Sequence, residues 1–332
     1  MIPNIPAPLL AALGSLPPSS SKLISHSTSS GHGVAGTYKL ISTKDGQSLT
    51  FFIKTGSTVA SELMFKGEYH SLNAIHSAVP NFCPKAHAHG SLGPSTGSMS
   101  GNYFLATDFL ELDASSGSEG SGMSFAQKLA RLHTTPAPLV GGKKMFGFPV
   151  PTCCGATVQD NTWKERWDEF YADNRLRGIL KECLRKNGGG GKDEELTGMV
   201  EFTAGKVVPR LLGGMVIEPV VVHGDLWSGN RGRGRILGPG RGHGIEEVVY
   251  DAACVYGHSE YELGIMRMFG GFGSSFWKEY ERLVPKAEPV GEWEDRVRLY
   301  ELYHHLNHYA LFGGSYRNSA MSIMRKLNSK YS

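Results

Sequence analysis

The chain has 332 residues, 40% of them hydrophobic, and a formal net charge of +3 at pH 7. This length is enough for two lobes that each bury a core, whereas the small charge gives no general electrostatic reason to bind nucleic acid or a membrane. No apolar run is long enough to span a bilayer, and Met1 to Leu13 lack the positive flank of a signal peptide. Five cysteines without a CxxC pair favour reduced thiols in a cytoplasmic protein over disulfides or a zinc site.

A glycine-rich stretch near the N-terminus precedes a predicted hairpin. Gly31, Gly33 and Gly36 form a GxGxxG pattern, and strand-like runs at 37–41 and 48–53 follow it around a Lys-Asp-Gly turn. A dinucleotide-binding fold would instead continue from the last glycine into a helix. The pattern therefore favours a loop that covers nucleotide phosphates, as in kinases. A flexible Ser/Gly-rich terminus is the alternative.

Residues 58–79 have apolar side chains at near-helical spacing and predict a helix. Glu68 lies on this apolar stripe, where an unpaired carboxylate would be costly to bury. Lys54, at the end of the second hairpin strand, is the natural partner, and kinases pair a strand lysine with a helix glutamate in this way. The alternative places Glu68 at the solvent-exposed edge of the stripe.

Further along, Tyr103–Ala106 predicts a strand, and Ser124 with Gln127 forms a capping box that predicts the start of another helix. From Tyr261 to Phe312 the apolar spacing is again helical. The C-terminal third of the chain is therefore expected to be helical.

The most informative segment is HGDLWSGN, from His223 to Asn230, which follows the apolar run Val220–Val222. In kinase catalytic loops, an Asp such as Asp225 accepts the proton of the attacking hydroxyl, and an Asn five residues later holds a metal ion at the phosphates. Asp251 follows a second apolar run, where such enzymes keep a magnesium ligand. Together these residues predict phosphoryl transfer.

Arg231 to Gly244, between the two acidic motifs, is rich in glycine and arginine. The alternating arginines at 231, 233 and 235 suggest nucleic-acid binding, but the stretch lacks the aromatic residues on which bases stack. We therefore predict a solvated loop.

Several strings besides HGDLWSGN resemble the fructosamine kinase family, also called ketosamine-3-kinases. An Asp-x4-Asn spacing alone would also fit aminoglycoside and choline kinases, whereas these strings are specific and span roughly residues 50–328. One departure is Ala252, where the family usually has a proline after the metal-binding Asp. The further matching strings are FGF at 146–148, TCCG at 152–155, YGHSE at 256–260 with Glu262-Leu263, MFGGF at 268–272, PKA at 285–287 and LNH at 306–308.

The resemblance implies an α+β, two-lobed protein-kinase-like fold. Residues 1–107 would form a small nucleotide-binding lobe with an antiparallel sheet and one main helix, and residues 108–332 a larger, mostly helical lobe for catalysis and acceptor binding. ATP and Mg²⁺ would bind in the cleft, with backbone groups of Asp108, Phe109 and Leu110 beside the adenine.

The same resemblance implies roles for the motif residues. Asp225 would be the catalytic base, with Asn230 and Asp251 as magnesium ligands. His223 is expected to support the loop rather than to react. Lys54, Glu68 and the three glycines would hold the nucleotide phosphates.

Two residues are candidates for contact with the acceptor. Trp227 offers a flat face and an indole donor to a sugar, or else it packs beneath the catalytic loop. His308 would contact the sugar or its amine. His304 and His308 have the spacing of a zinc pair, but no further ligands accompany them at a suitable spacing.

The implied reaction is ATP-dependent phosphorylation of the 3-hydroxyl of a ketosamine, a sugar joined through its first carbon to an amine such as a protein lysine. The phosphorylated adduct would decompose and free the amine, which amounts to protein deglycation. A protein-ribulosamine 3-kinase is favoured slightly over a fructosamine kinase, because ribulosamines are the acceptors shared more widely in the family. The partners would be glycated proteins or small ketosamines, without nucleic acid or membrane, and the chain would be a monomer or weak oligomer.

Two alternatives remain at this point. The first is a kinase for another small hydroxyl compound, such as an aminoglycoside or a sugar. The second is an inactive nucleotide-binding scaffold, although degenerate kinases generally lose at least one of the motif residues. This chain retains all of them, namely Lys54, Glu68, Asp225, Asn230 and Asp251.

Overall fold

The computed structural model describes residues 5–26, 33–93, 99–112, 120–187, 192–240 and 244–332. The chain divides into two compact units. The first unit contains Met1–Lys128 and Asn230–Ala252, and the second contains Leu129–Gly229 and Ala253–Ser332. The boundary predicted between residues 107 and 108 falls inside a strand, Tyr103–Leu112, and the first unit continues beyond it.

The described strands, in chain order, are β1 (Ser21–Ser25), β2 (Gly36–Lys44), β3 (Gln47–Gly56), β4 (Ala86–Ser91), β5 (Tyr103–Leu112), β6 (Thr152–Cys154), β7 (Thr157–Gln159), β8 (Val220–Val222), β9 (Arg231–Leu237), β10 (Glu246–Val249) and β11 (Val255–Gly257).

The described α-helices are α1 (Ala7–Ala12), α2 (Val59–Ala78), α3 (Phe125–Thr134), α4 (Trp167–Phe170), α5 (Gly178–Asn187), α6 (Glu194–Phe202), α7 (Val208–Leu212), α8 (Glu260–Phe269), α9 (Ser274–Leu283), α10 (Trp293–Phe312) and α11 (Tyr316–Lys330). Two π-helical segments, Tyr171–Arg177 and Thr203–Val207, continue α4 and α6. None of the helices in these ranges is both long enough and apolar enough to cross a bilayer.

An antiparallel sheet forms the centre of the first unit, in the order β1-β2-β3-β5-β9-β10, with β4 also paired to β5. The predicted hairpin is confirmed: β2 and β3 pair from Gly36↔Thr55 to Lys44↔Gln47. Its turn residues, Asp45 and Gly46, have φ angles of 50° and 74°. Positive φ at both positions matches the twist of the flanking strands, which explains the Asp-Gly pair.

The helix predicted over residues 58–79 is confirmed as α2. Thr58 precedes its first turn, and the Thr58 hydroxyl accepts a hydrogen bond from the Ser61 backbone N–H at 3.2 Å. The apolar stripe is buried, with Phe65, Leu72 and Ile75 as its main contacts. Burial of this stripe fixes the direction in which Glu68 points.

The prediction of a loop for the Gly/Arg-rich stretch is wrong over residues 231–237, which form β9 between β5 and β10. Its glycines let β5 approach closely: a Cβ on Gly234 would lie 2.3 Å from the Glu111 carbonyl oxygen, and one on Gly232 would lie 2.7 Å from a Leu112 methyl. The alternation of arginine and glycine therefore follows the two-residue period of a strand, although the glycine-rich composition had predicted a loop.

The second unit is mostly helical, as predicted for the C-terminal third. It also holds two small antiparallel pairs, β6 with β7 and β8 with β11. An aromatic cluster fills its core, with Trp167, Tyr171, Tyr261, Tyr300 and Tyr303 all buried. The core fixes α8 and α10, which carry several of the polar residues described below.

The predicted capping box at α3 is also confirmed. The Ser124 backbone N–H donates to Gln127 Oε1 at 3.0 Å, and the Gln127 backbone N–H donates to the Ser124 hydroxyl at 3.1 Å. Each side chain thus satisfies a backbone donor that the first helical turn leaves unpaired.

Candidate active site

The first unit contains a cluster of three charged side chains around Lys54. Lys54 Nζ on β3 lies 2.7 Å from Glu68 Oε1 on α2 and 2.5 Å from Asp251 Oδ1, just after β10. The ion pair predicted between Lys54 and Glu68 is present, and Asp251 is a second partner that was not predicted. The Lys54 and Glu68 side chains are 15% and 11% exposed, whereas that of Asp251 is 52% exposed.

Neighbouring charges shift the pKa values of Lys54 and Glu68. Burial alone would lower the pKa of Lys54, but Asp251 and Glu68 together raise it above its usual value, so the ammonium stays charged. Burial raises the pKa of Glu68 against the opposing pull of Lys54, and the nearby Asp251 carboxylate adds to the increase. Of the two carboxylates that share this ammonium group, that of Asp251 is the more accessible, because its side chain is the more exposed.

Asn230 and Asp251 lie at the same end of the β9–β10 pair. Arg231 pairs with Val249 across these strands, and the Tyr250 N–H donates to the Asn230 carbonyl oxygen at 3.1 Å. Asp251 has a φ of 57°, a left-handed conformation that is uncommon outside glycine and is often found at functional sites.

Asn230 and Asp251 carry side chains of the kind that binds magnesium. An amide and a carboxylate supply hard oxygen donors, and Mg²⁺ typically takes one or two such side chains together with phosphate and water oxygens. The half-exposed side chain of Asp251 leaves room for such partners. The residues present therefore fit a magnesium site.

Of the predicted phosphate-loop glycines, Gly31 lies outside the described residues. Gly33 has a φ of 82°, and its carbonyl oxygen accepts a hydrogen bond from the Ser61 hydroxyl in the first turn of α2 at 2.8 Å. A Cβ on Gly36 would lie 2.8 Å from the Tyr38 hydroxyl. Position 33 thus favours glycine for its backbone conformation, whereas a larger residue at position 36 would have to displace the ends of neighbouring side chains. Contact of either glycine with phosphates stays a prediction.

Asp108, Phe109 and Leu110 lie inside β5 rather than in an open connection. Phe109 and Leu110 pair in register with Leu237 and Ile236 of β9. The Asp108 side chain is fully buried, and its carboxylate contacts His87 Nε2 at 2.6 Å and the Lys85 N–H at 3.0 Å. This carboxylate is therefore engaged within the unit, and the role of the three residues beside adenine stays a prediction.

The second unit presents Asp225 on a loop that follows β8. Glu262 on α8 is 1% exposed, and its two carboxylate oxygens accept hydrogen bonds from successive backbone N–H groups, those of His223 at 2.6 Å and Gly224 at 3.0 Å. Gly224 has a φ of 82°, and a Cβ there would lie 2.2 Å from the Ala253 carbonyl oxygen. Only glycine fits this position.

His223 supports the loop backbone, as expected. Its carbonyl oxygen accepts from the Ala253 N–H at 2.9 Å, and its Nδ1 accepts from the Asp225 N–H at 3.3 Å. His133 Nε2 also lies 3.6 Å from Glu262 Oε2. The loop that carries Asp225 is thus fixed by buried groups.

Glu262 was not predicted as a site residue. The sequence marked it only through the Glu262-Leu263 string that resembles the family. The available signal was the one that identified Glu68: a carboxylate on the apolar face of a predicted helix. The same argument applied to α8 would have required a partner for Glu262. The partners are backbone N–H groups, which no sequence pattern marks.

Trp227 and His308 both contact Phe269, which the sequence analysis did not single out for the site. Phe269 lies 5.9 Å from the Trp227 ring and 5.1 Å from the His308 ring, centroid to centroid. Trp227 is 40% exposed and lies over Gly229, where a Cβ would come within 2.1 Å of the indole. Burial lowers the pKa of His308, so its ring is neutral at pH 7.

A family model described as fructosamine kinase matches residues 19–330. The chain belongs to the fructosamine kinase family. The predicted resemblance is confirmed over nearly the whole chain.

Two relatives and one solved structure illustrate this membership. The protein-ribulosamine 3-kinase of Arabidopsis thaliana, named chloroplastic, is 36% identical over 83% of this chain and 75% of the relative. The ketosamine-3-kinase of Mus musculus is 34% identical over 90% of this chain and 94% of the relative. A crystal structure of a protein from Haemophilus somnus 129PT matches over 97% of this chain and 96% of the solved chain, with 21% identity and a TM-score of 0.69.

The structural similarity concerns the fold. The antiparallel sheet of the first unit and the helices of the second agree with it, and the predicted α+β, protein-kinase-like fold is confirmed.

Proposed function

We propose that this family member is an ATP-dependent ketosamine 3-kinase, with ribulosamine adducts on protein amines as its preferred acceptors. The observation that carries the proposal is the HGDLWSGN string, whose Asp225 lies on a loop held by buried hydrogen bonds to Glu262. The named activities of the plant and mouse relatives support the choice of acceptor.

In the proposed reaction, Asp225 accepts the proton of the acceptor 3-hydroxyl as that oxygen attacks the terminal phosphorus of ATP. Because the loop is fixed by Glu262 and His223, the carboxylate meets the hydroxyl without first having to be ordered. Trp227 offers a face to the sugar ring. His308, neutral at pH 7, contacts the acceptor without repelling its protonated amine.

Lys54 contacts phosphate oxygens while Glu68 keeps its ammonium group in place. Asn230 and Asp251 would hold a magnesium ion through their amide and carboxylate oxygens. When bound, ATP would supply the phosphoryl group, and Mg²⁺ would neutralise the negative charge that develops on it.

The proposed product decomposes because phosphate at the 3-position is a good leaving group, and the amine is released. The biological role proposed is therefore protein deglycation, a form of protein repair. All five cysteines are free thiols, in keeping with a reducing compartment, and we propose a cytoplasmic location and a monomeric or weakly associating state.

The test is phosphate transfer from ATP to ribulose-lysine and fructose-lysine model compounds, with the phosphorylated carbon located by NMR. The expected result is magnesium-dependent phosphorylation at the 3-hydroxyl, faster with the ribulose compound. Transfer only to aminoglycosides or free sugars would replace the proposed acceptor class. ATP binding without transfer to any of these compounds would instead indicate an inactive scaffold.

A further inference from the structure

A buried thiol lies against the carboxylate of Asp225. Cys154, the last residue of β6, is 1% exposed, and its Sγ lies 3.5 Å from Asp225 Oδ1. This separation is within the range of hydrogen bonds that involve sulfur, and a thiol is a weak donor. The contact lies inside the second unit, and the reaction described above does not use it.

The thiol is able to act only as a neutral donor. Burial raises the pKa of Cys154 well above its usual value, and the adjacent Asp225 carboxylate raises it further. The proton therefore stays on sulfur at neutral pH, and a carboxylate oxygen is a suitable acceptor for it. The same burial makes Cys154 a poor nucleophile, which argues against a covalent or redox role.

Asn307 also contacts the thiol. Its Nδ2 lies 3.2 Å from Cys154 Sγ and 3.3 Å from the Cys154 carbonyl oxygen, and its side chain on α10 is buried. The strand that carries the thiol is anchored as well, since the Thr152 hydroxyl donates to Gln159 Oε1 at 3.0 Å. Cys154 thus has little freedom to turn away from Asp225.

We propose that Cys154 is a positioning residue for the phosphoryl-transfer reaction: its S–H donates to Asp225 Oδ1 and orients the carboxylate toward the acceptor hydroxyl, with Asn307 holding the sulfur in place. This inference rests on the proposed function, because it requires Asp225 to act as the base. A neutral, weak donor suits this position, since it restricts rotation of the carboxylate without competing strongly for the negative charge that must accept a proton.

A purely space-filling role for Cys154 makes different predictions from a positioning role. Loss of a space-filling side chain lowers stability, and any loss of turnover follows the lost volume. Loss of an orienting donor lowers turnover through Asp225, and a hydroxyl in place of the thiol restores it. The variants Cys154→Ala and Cys154→Ser separate these effects.

The test measures kcat, KM for ATP and KM for ribulose-lysine, together with the melting temperature, for both variants. The matched control is Cys183→Ala, which removes another buried thiol of the second unit, one that donates to the Leu306 carbonyl oxygen at 3.2 Å. For Cys154→Ala we expect kcat to fall about tenfold with little change in either KM, whereas Cys154→Ser should stay within about threefold of the wild type. The control should keep its kcat even if its melting temperature falls.

A double-mutant cycle with Asp225→Asn decides whether the thiol acts through the carboxylate. We expect Cys154→Ala to have no further effect on the residual rate in that background, measured with radiolabelled ATP. An equal fold-loss in both backgrounds, or a kcat for Cys154→Ala that matches the Cys183→Ala control, overturns the inference while the proposed function stands. If the wild-type protein phosphorylates no ketosamine, both the inference and the proposed function are overturned.

Discussion

The two regions that carry the proposed site residues are built on different principles. In the first unit, Lys54 is held by formal charge, shared between Glu68 and the more exposed Asp251. In the second unit, the Asp225 loop is held by hydrogen bonds that its backbone donates. The His223 and Gly224 N–H groups donate to buried Glu262, and the Asp225 N–H donates to His223 Nδ1.

This difference follows from what each region has to do in the proposed reaction. Groups that bind phosphate and metal must exchange partners, and a lysine shared between two carboxylates is able to do so without becoming unpaired. A base must keep its negative charge available, so the loop that carries Asp225 is fixed through its backbone N–H groups. Substitutions in each unit test this difference.

The largest effect is expected at Asp225 itself. Asp225→Asn keeps the shape of the side chain but removes the proton acceptor, so kcat should fall by about 100- to 10,000-fold. Initial rates with ATP and ribulose-lysine measure the change, and an unchanged melting temperature shows that the fold is intact. Near-normal turnover in this variant would remove Asp225 from the proposed mechanism.

Removal of the buried carboxylate beneath the loop should cost mainly stability. Glu262→Ala leaves the His223 and Gly224 N–H groups buried without their acceptor, each at a cost of about 1–3 kcal/mol in the free energy of unfolding. Urea unfolding measures the loss. Glu294→Ala, at a 67% exposed glutamate on α10, is the control and should change stability by less than about 0.5 kcal/mol. Equal results for the two variants would contradict the support assigned to Glu262.

On the charged side of the comparison, Lys54→Met removes the ammonium group but keeps a side chain of similar length. Because charge-assisted hydrogen bonds to phosphate are lost, kcat/KM for ATP should fall about 30-fold. Steady-state kinetics with varied ATP measure it, and Lys22→Met, at an exposed lysine on β1, serves as the control. If both variants keep wild-type kinetics, Lys54 does not contact the nucleotide.

Buried histidines of the second unit should make the free energy of unfolding depend on pH. Burial lowers the pKa of His258 to about 4, with Arg296 and His133 also lowering it and Glu260 opposing them, while Nδ1 contacts the Tyr300 hydroxyl at 2.9 Å. Between the ordinary histidine value and pH 4, the unfolded chain binds this proton and the folded chain does not. Stability should therefore fall as the pH drops through that window.

His258→Gln should remove part of this pH dependence, on the order of 1–2 kcal/mol between pH 7 and pH 5. Urea unfolding of both proteins at the two pH values measures the difference. Buried His304, whose pKa is also lowered by burial, remains in the variant and accounts for part of the residual slope. An unchanged slope would mean that His258 does not titrate differently in the folded and unfolded chains.

The parts of the molecule that were predictable depend on short-range rules. The Asp-Gly turn of the β2–β3 hairpin, the Ser124–Gln127 capping box and the apolar stripe of α2 each involve residues close in the chain. The Lys54–Glu68 pair was predictable despite the distance between them, because a carboxylate on a buried stripe requires a cation. The Arg/Gly strand β9 was missed because its glycines make sense only beside β5.

The amino-acid sequence alone determined the family, the kinase-like fold class and the identity of the candidate base, because these depend on the order of residue types along the chain. Three contacts became visible only in the folded chain: Asp251 shares Lys54 with Glu68, Glu262 holds the loop backbone, and the thiol of Cys154 lies against Asp225. These contacts join residues from distant parts of the chain, or a side chain to backbone N–H groups that every residue except proline possesses. Packing of the two cores selects them, and no local pattern encodes that packing.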